Sequence, residues 1–201
     1  ELSMQKRLLY WMTKILYLHG FASSADSTKA DLTKSFIEKK TKKTKILIPD
    51  LDNDIEVAFY QIENIISEES ITAFIGSSLG GFYGTYFSEK YDLQCVNINP
   101  AIPPLNMSQY LGENTNYSTG EKFIINKKHL NFIDKMCKEI ENVTKPKNFM
   151  TLIQSKDEVL DYKRAMKYFA GSRIELMFGG SHSFENFDAS LNKIANFLNL
   201  H

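Results

Sequence analysis

Ile71-Thr72-Ala73-Phe74-Ile75-Gly76-Ser77-Ser78-Leu79-Gly80-Gly81-Phe82-Tyr83 joins a short apolar run to a helix-like segment through a serine that has a glycine two positions away on either side. A sharp strand-to-helix turn lifts its central side chain above the edge of a sheet. It needs residues without side chains on both flanks, here 76 and 80, so that strand and helix can approach closely. Ser78 is the residue so presented, and Ser77 reads as a small buried spacer. A glycine-rich turn that only packs a helix on a sheet carries the same pattern, so the reading depends on what the rest of the chain supplies.

Working outward, apolar β-rich runs recur at 15–18, 46–48, 71–75, 95–98, 149–153 and 174–178. They are continuous rather than alternating, as strands buried on both faces are. Segments with helical spacing lie between them, at 27–40, 54–69, 79–91, 127–141, 161–169 and 184–198. The alternation predicts one α/β domain over 1–201, a mainly parallel six-stranded sheet with helices on both faces. Met4 and Met12 are both candidate starts, so residues 1–13 are set apart as an extension. The stretch 101–126 is too long for an ordinary connection and too short to fold alone, and is expected to form a small lid-like insertion.

Composition narrows the function classes. The 24 basic and 24 acidic side chains cancel, which gives no general attraction for nucleic acid or an anionic membrane. The dense lysine run at 39–45 lacks interleaved aromatics and reads as a solvated turn after a helix. Two cysteines, Cys95 and Cys137, form neither a disulfide framework nor a zinc pattern, and a reducing cytoplasm is expected. No apolar stretch reaches the length of a membrane span. The expected partner is a small molecule.

In a parallel sheet, ligands gather at the carboxyl ends of the strands, and the chemistry-bearing residues of this chain follow strands. A serine hydroxyl needs an imidazole to take its proton, and the imidazole needs an acid to hold its tautomer. Of the four histidines, His201 is terminal, His129 lies on a charged helix, and His19 sits after the first strand, where its ring would brace the loop. His182 follows the last strand in a glycine-containing loop that reads as flexible, and is the candidate base. For the acid, Asp157 comes first in the loop after the fifth strand, with Glu158 and Asp161 as competitors. Asp161 reads as the N-cap of the next helix. An oxyanion formed at such a site needs oriented donors. The candidates are the backbone N–H groups of Leu79, at a helix start, and of Phe21 in the His19-Gly20-Phe21 loop. Phe21, Phe82, Tyr83, Tyr110 and Tyr117 are candidate pocket walls, and each could equally belong to the core. No phosphate-loop, dinucleotide or metal-ligand spacing occurs, so neither a cofactor nor a metal is expected.

Five blocks together carry a resemblance: Tyr17-Leu18-His19-Gly20-Phe21-Ala22-Ser23-Ser24, Gly76 to Tyr83 as quoted, Asn99-Pro100-Ala101, Asp157-Glu158-Val159-Leu160-Asp161-Tyr162 and Gly179-Gly180-Ser181-His182-Ser183-Phe184. In this order, from about residue 14 to the C-terminus, they resemble the small bacterial YqiA/YcfP-type esterases of the α/β-hydrolase superfamily. Ala25 and Ile102-Pro103-Pro104 depart from that pattern, the second beside the expected acyl pocket. The resemblance implies a minimal hydrolase fold without a large cap, with Ser78, Asp157 and His182 at the triad positions in the chain order of that superfamily. It also implies hydrolysis of short acyl esters or thioesters. Acyl transfer to another acceptor, and a hydrolase-fold module that binds a small ligand without turnover, are the rival readings. Oligomeric state is not legible in the sequence.

Overall fold

The computed structural model describes residues 13–200; the extension proposed for 1–13 lies almost wholly outside them. In chain order the main elements are β1 (Thr13–Leu18), α1 (Thr28–Lys40), β2 (Thr44–Leu47), α2 (Ile55–Glu69), β3 (Ala73–Ser77), α3 (Leu79–Tyr91) and β4 (Gln94–Ile98). The second half contains β5 (Gly112–Thr115), β6 (Lys122–Ile125), α4 (Lys127–Glu139), β7 (Phe149–Gln154), α5 (Tyr162–Tyr168), β8 (Arg173–Met177) and α6 (Leu191–Phe197). Six strands form one sheet in the order β2-β1-β3-β4-β7-β8, and every pairing in it is parallel. All six strands read from the sequence are present in this sheet.

Successive residues of these strands point to opposite faces, and each face has its own apolar layer. Leu16, Leu18, Phe74, Cys95 and Phe149 pack beneath α2, α3 and α4 through Phe59, Ile62, Phe82, Phe87 and Met136. Ile15, Tyr17, Ile75, Val96 and Leu152 face the other way, against Ile37 of α1 and Leu191 and Ile194 of α6. Side chains set several helix starts. Asp54 accepts the N–H groups of Glu56 and Val57 at the start of α2, and Asp161 accepts that of Lys163 at the start of α5, as N-caps do.

One region differs from the sequence reading. The stretch 184–198 is helical only from Leu191, because Phe184 and Asn186 adopt positive φ of 65° and 54° and Phe187–Ser190 forms a 3-10 turn. Phe184 and Phe187 are buried against the sheet, and seating both rings there overrides the helical spacing. The insertion holds a 3-10 turn at Ser108–Tyr110 and an antiparallel hairpin, β5 with β6. That hairpin is tied to the loop after β1 by Tyr117 N–H to Ala22 O at 2.9 Å and Asn116 Nδ2 to Ser23 O at 3.0 Å. No helix among the described residues is long and apolar enough to cross a membrane.

The strand order places a topological switch between β1 and β3: the chain leaves β1 for β2 on one side and returns to β3 on the other. The loops after β1 and β3 therefore part in opposite directions and leave a crevice at the carboxyl edge.

Candidate active site

Ser78 stands on that edge with φ 54° and ψ −120°, a conformation that L-residues hold only when their surroundings impose it. The surroundings here are backbone. The Ser78 N–H donates to Ile98 O at 3.1 Å, and the Ser78 carbonyl accepts from Gly81 and Ala101 at 2.9 and 3.0 Å. A Cβ on Gly76 would lie 2.3 Å from Gly80 O, and one on Gly80 would lie 2.0 Å from Leu18 O. These clashes explain why both flanking positions are glycine: helix α3 meets β3 and β1 at backbone contact. Ser77 is buried, as a spacer should be.

The other two candidates arrive from β7 and β8. His182 Nε2 lies 3.0 Å from Ser78 Oγ, and His182 Nδ1 lies 2.8 Å from Asp157 Oδ2. An ionised carboxylate can only accept, so Nδ1 carries the ring proton and Nε2 is left as acceptor for the serine hydroxyl. The Asp157 side chain is 2% exposed against 22% for His182, and its second oxygen accepts the N–H groups of Val159 and Leu160 at 2.9 and 2.8 Å. Asp157 is thereby fixed on both sides. Glu158, a competitor for the acid, instead accepts the backbone N–H of His182 at 3.0 Å, and that bond holds its carboxyl below the usual range. Asp161, the other, caps α5.

The loop bearing His182 is held closely, in contrast to its flexible appearance in the sequence. Asn99 Nδ2 donates to the carbonyls of Ser181 and His182, Lys29 Nζ donates to that of Ser183, and Gln154 Oε1 accepts from Ser181 and Glu185. Sequence reasoning assigned no role to Asn99, Gln154 or Lys29. The available signal was that Asn99 and Gln154 end or follow β4 and β7, the strands that flank the site.

On the opposite side, the His19 ring is buried. Its Nε2 accepts the Leu51 N–H at 2.9 Å, which leaves the proton on Nδ1 for Gly20 O, also at 2.9 Å. Burial lowers its pKa, and its ring braces the loop that carries Phe21. Gly20 packs against Ser78; an added Cβ there would lie 3.2 Å from the serine Cβ. His129 lies elsewhere, with Nε2 against Asp54.

A cavity of about 220 Å³ opens beside Ser78 between these loops, lined by Phe21, Leu79, Ala101, Ile102, Met107 and Tyr110 among others. Of the five aromatics expected as pocket walls, Phe21 and Tyr110 line it and the other three do not. Phe82 is fully buried beneath the sheet, because α3 turns that face inward. Tyr83 is buried with its hydroxyl bonded to Ile55 O. Tyr117 is 86% exposed, and only its backbone takes part, through the bond to Ala22. Among the described residues no group of histidine, cysteine and carboxylate side chains is arranged to hold a metal ion. Cys95 and Cys137 are buried thiols.

A family model described as an uncharacterised protein family, UPF0227, matches residues 14–199. The chain belongs to this family. It is the YqiA/YcfP family that the sequence blocks resemble. Solved structures add the fold. Est1E from Butyrivibrio proteoclasticus, bound to ferulic acid, superposes with a TM-score of 0.72 at 11% identity, over 93% of this chain and 88% of that one. Mouse alpha/beta hydrolase domain-containing protein 10 gives 0.70 at 18% identity, over 92% and 88%. The esterase domain of a Rhodothermus marinus protein gives 0.60 at 18%, over 91% and 86%. At such identities the likeness is one of architecture, and it assigns the chain to the α/β-hydrolase fold.

Proposed function

We propose that this protein is a serine ester hydrolase acting on short acyl esters or thioesters, with Ser78 as nucleophile, His182 as base and Asp157 as the acid that orients it. The observation that carries the reading is the continuous chain of contacts from Ser78 Oγ to His182 Nε2 and from His182 Nδ1 to Asp157 Oδ2, at 3.0 and 2.8 Å. Ser78 Oγ attacks the ester carbonyl carbon while its proton passes to Nε2. The carbonyl oxygen becomes an oxyanion held by the N–H groups of Phe21 and Leu79; the latter begins α3 and has no intrahelical acceptor to reach. Collapse expels the alcohol or thiol, which takes the proton from His182. Water then repeats the sequence against the acyl-serine and releases the acid, so the reaction balances with ester and water alone.

Labelling by a fluorophosphonate probe tests this reading. Wild type should be labelled and Ser78→Ala should not, with kcat for an aryl ester falling on the order of 10⁶-fold. Equal labelling of the two would refute the assignment. A protein that binds small esters but neither hydrolyses them nor reacts with the probe would be the binding module considered above.

A further inference from the structure

Among the described residues, Arg164 supplies the only cationic side chain to the lining of the cavity beside Ser78, where most of the other lining residues are apolar. It projects from α5, and its Nη2 donates to the carbonyls of Pro103 and Pro104 at 3.2 and 3.1 Å. Those two bonds fix the guanidinium against the segment that walls the cavity, and of its five N–H donors they use two. No carboxylate among the described residues pairs with it, whereas Arg173 pairs with Glu175 at 3.0 Å. The one acid that the described residues bring to the lining, Asp161, is the N-cap of α5 and accepts the N–H of Lys163 through Oδ1. An unpaired guanidinium with spare donors, held in the lining of the cavity that the nucleophile also borders, is a receptor for an anion.

We propose that Arg164 makes this site select esters that carry a carboxylate on the portion entering the cavity, reached from the reacting carbonyl across an apolar segment a few methylenes long. The inference rests on the esterase reading and narrows its substrate class. Because Arg164 is largely exposed, solvent screens the charge, and the expected preference is about tenfold to a hundredfold, the range of one charge-assisted hydrogen bond.

The test compares 4-nitrophenyl hexanoate, 4-nitrophenyl hydrogen adipate and the hexanoyl ester of 4-hydroxybutyrate on wild type and Arg164→Gln. The substitution should lower kcat/KM at least tenfold, mainly through KM, for one of the two carboxylated esters and leave the neutral ester within about twofold. Selective loss on the adipate places the anion on the acyl side, and loss on the hydroxybutyrate ester places it on the alcohol side. If all three esters decline together, Arg164 only holds the Pro103-Pro104 wall and the inference is overturned. An unchanged profile, or a preference for an amine-bearing ester drawn by Asp161, overturns it too. Calorimetric titration with adipate and hexanoate separates this from the underlying reading. Neutral esters hydrolysed by a protein with no Arg164-dependent affinity for adipate would remove the inference alone. Adipate bound through Arg164, without any probe labelling or turnover, would remove the esterase assignment.

Discussion

Gln154 and Glu185 are joined twice: Gln154 Oε1 accepts the Glu185 N–H at 2.8 Å, and Gln154 Nε2 donates to the Glu185 carbonyl at 2.8 Å. The same Oε1 accepts from Ser181 at 3.0 Å. A side-chain amide thus does for the loop around His182 what a neighbouring strand would do, at the point where β8 has ended. Gly180 leaves the room for it, since a Cβ there would lie 2.0 Å from Gln154 Oε1.

Gln154→Ala should therefore act on the base as well as on the fold. It leaves two N–H groups without an acceptor, which costs on the order of 2–3 kcal/mol in urea denaturation. In the surviving native protein kcat should fall about tenfold or more while KM changes little, because the imidazole loses its fixed position. A variant with full kcat would show that the clamp is irrelevant to the base.

The two acids beside His182 should separate cleanly in kinetics. Asp157→Asn should lower kcat by about 10⁴ through the wrong imidazole tautomer. Glu158→Gln should cost only a few-fold, since Glu158 is exposed and hydrogen-bonds the backbone of His182 rather than its ring. Comparable losses in the two variants would reopen the choice of acid.

Steric and dihedral reasons for glycine can be told apart by melting temperature. Gly80→Ala forces a Cβ to 2.0 Å from Leu18 O and 2.5 Å from His19 O, both main chain, and should cost several kcal/mol or prevent folding. Gly112→Ala meets nothing within 4 Å and bears only the strain of φ 101°, about 1 kcal/mol. Similar melting temperatures for the two variants would contradict the backbone-contact account of the elbow.

His19 should make stability fall in weak acid. Burial lowers its pKa in the folded chain, so the unfolded chain takes up the proton first. The contribution of the neutral ring is complete above the ordinary histidine value of about 6.5 and declines as pH falls from there through the lowered folded value. Protonation also removes the acceptor used by Leu51 N–H. His19→Gln should be less stable than wild type at pH 8 and should show a shallower decline of urea midpoint between pH 7 and 5. Parallel curves would rule out this histidine as the source.

Strands and helices were legible because their signals are local. A run such as Phe149-Met150-Thr151-Leu152-Ile153 is buried throughout and apolar but for Thr151, because both its faces are covered, and Gly76 and Gly80 mark a contact inside a single turn. The order Ser78, Asp157, His182 and the strand-end location of each could also be read along the chain. Which aromatics wall the cavity could not, since α3 buries Phe82 and Tyr83 through its orientation on the sheet. Nor could the hold of Asn99, Lys29 and Gln154 on the loop of His182, which spans separations of 27 to 154 residues. Periodicity and turn chemistry act over a few residues, so they determine elements and their order. The register between distant loops is set by packing, and that alone brought Ser78, His182, Asp157 and Arg164 to one edge of the sheet.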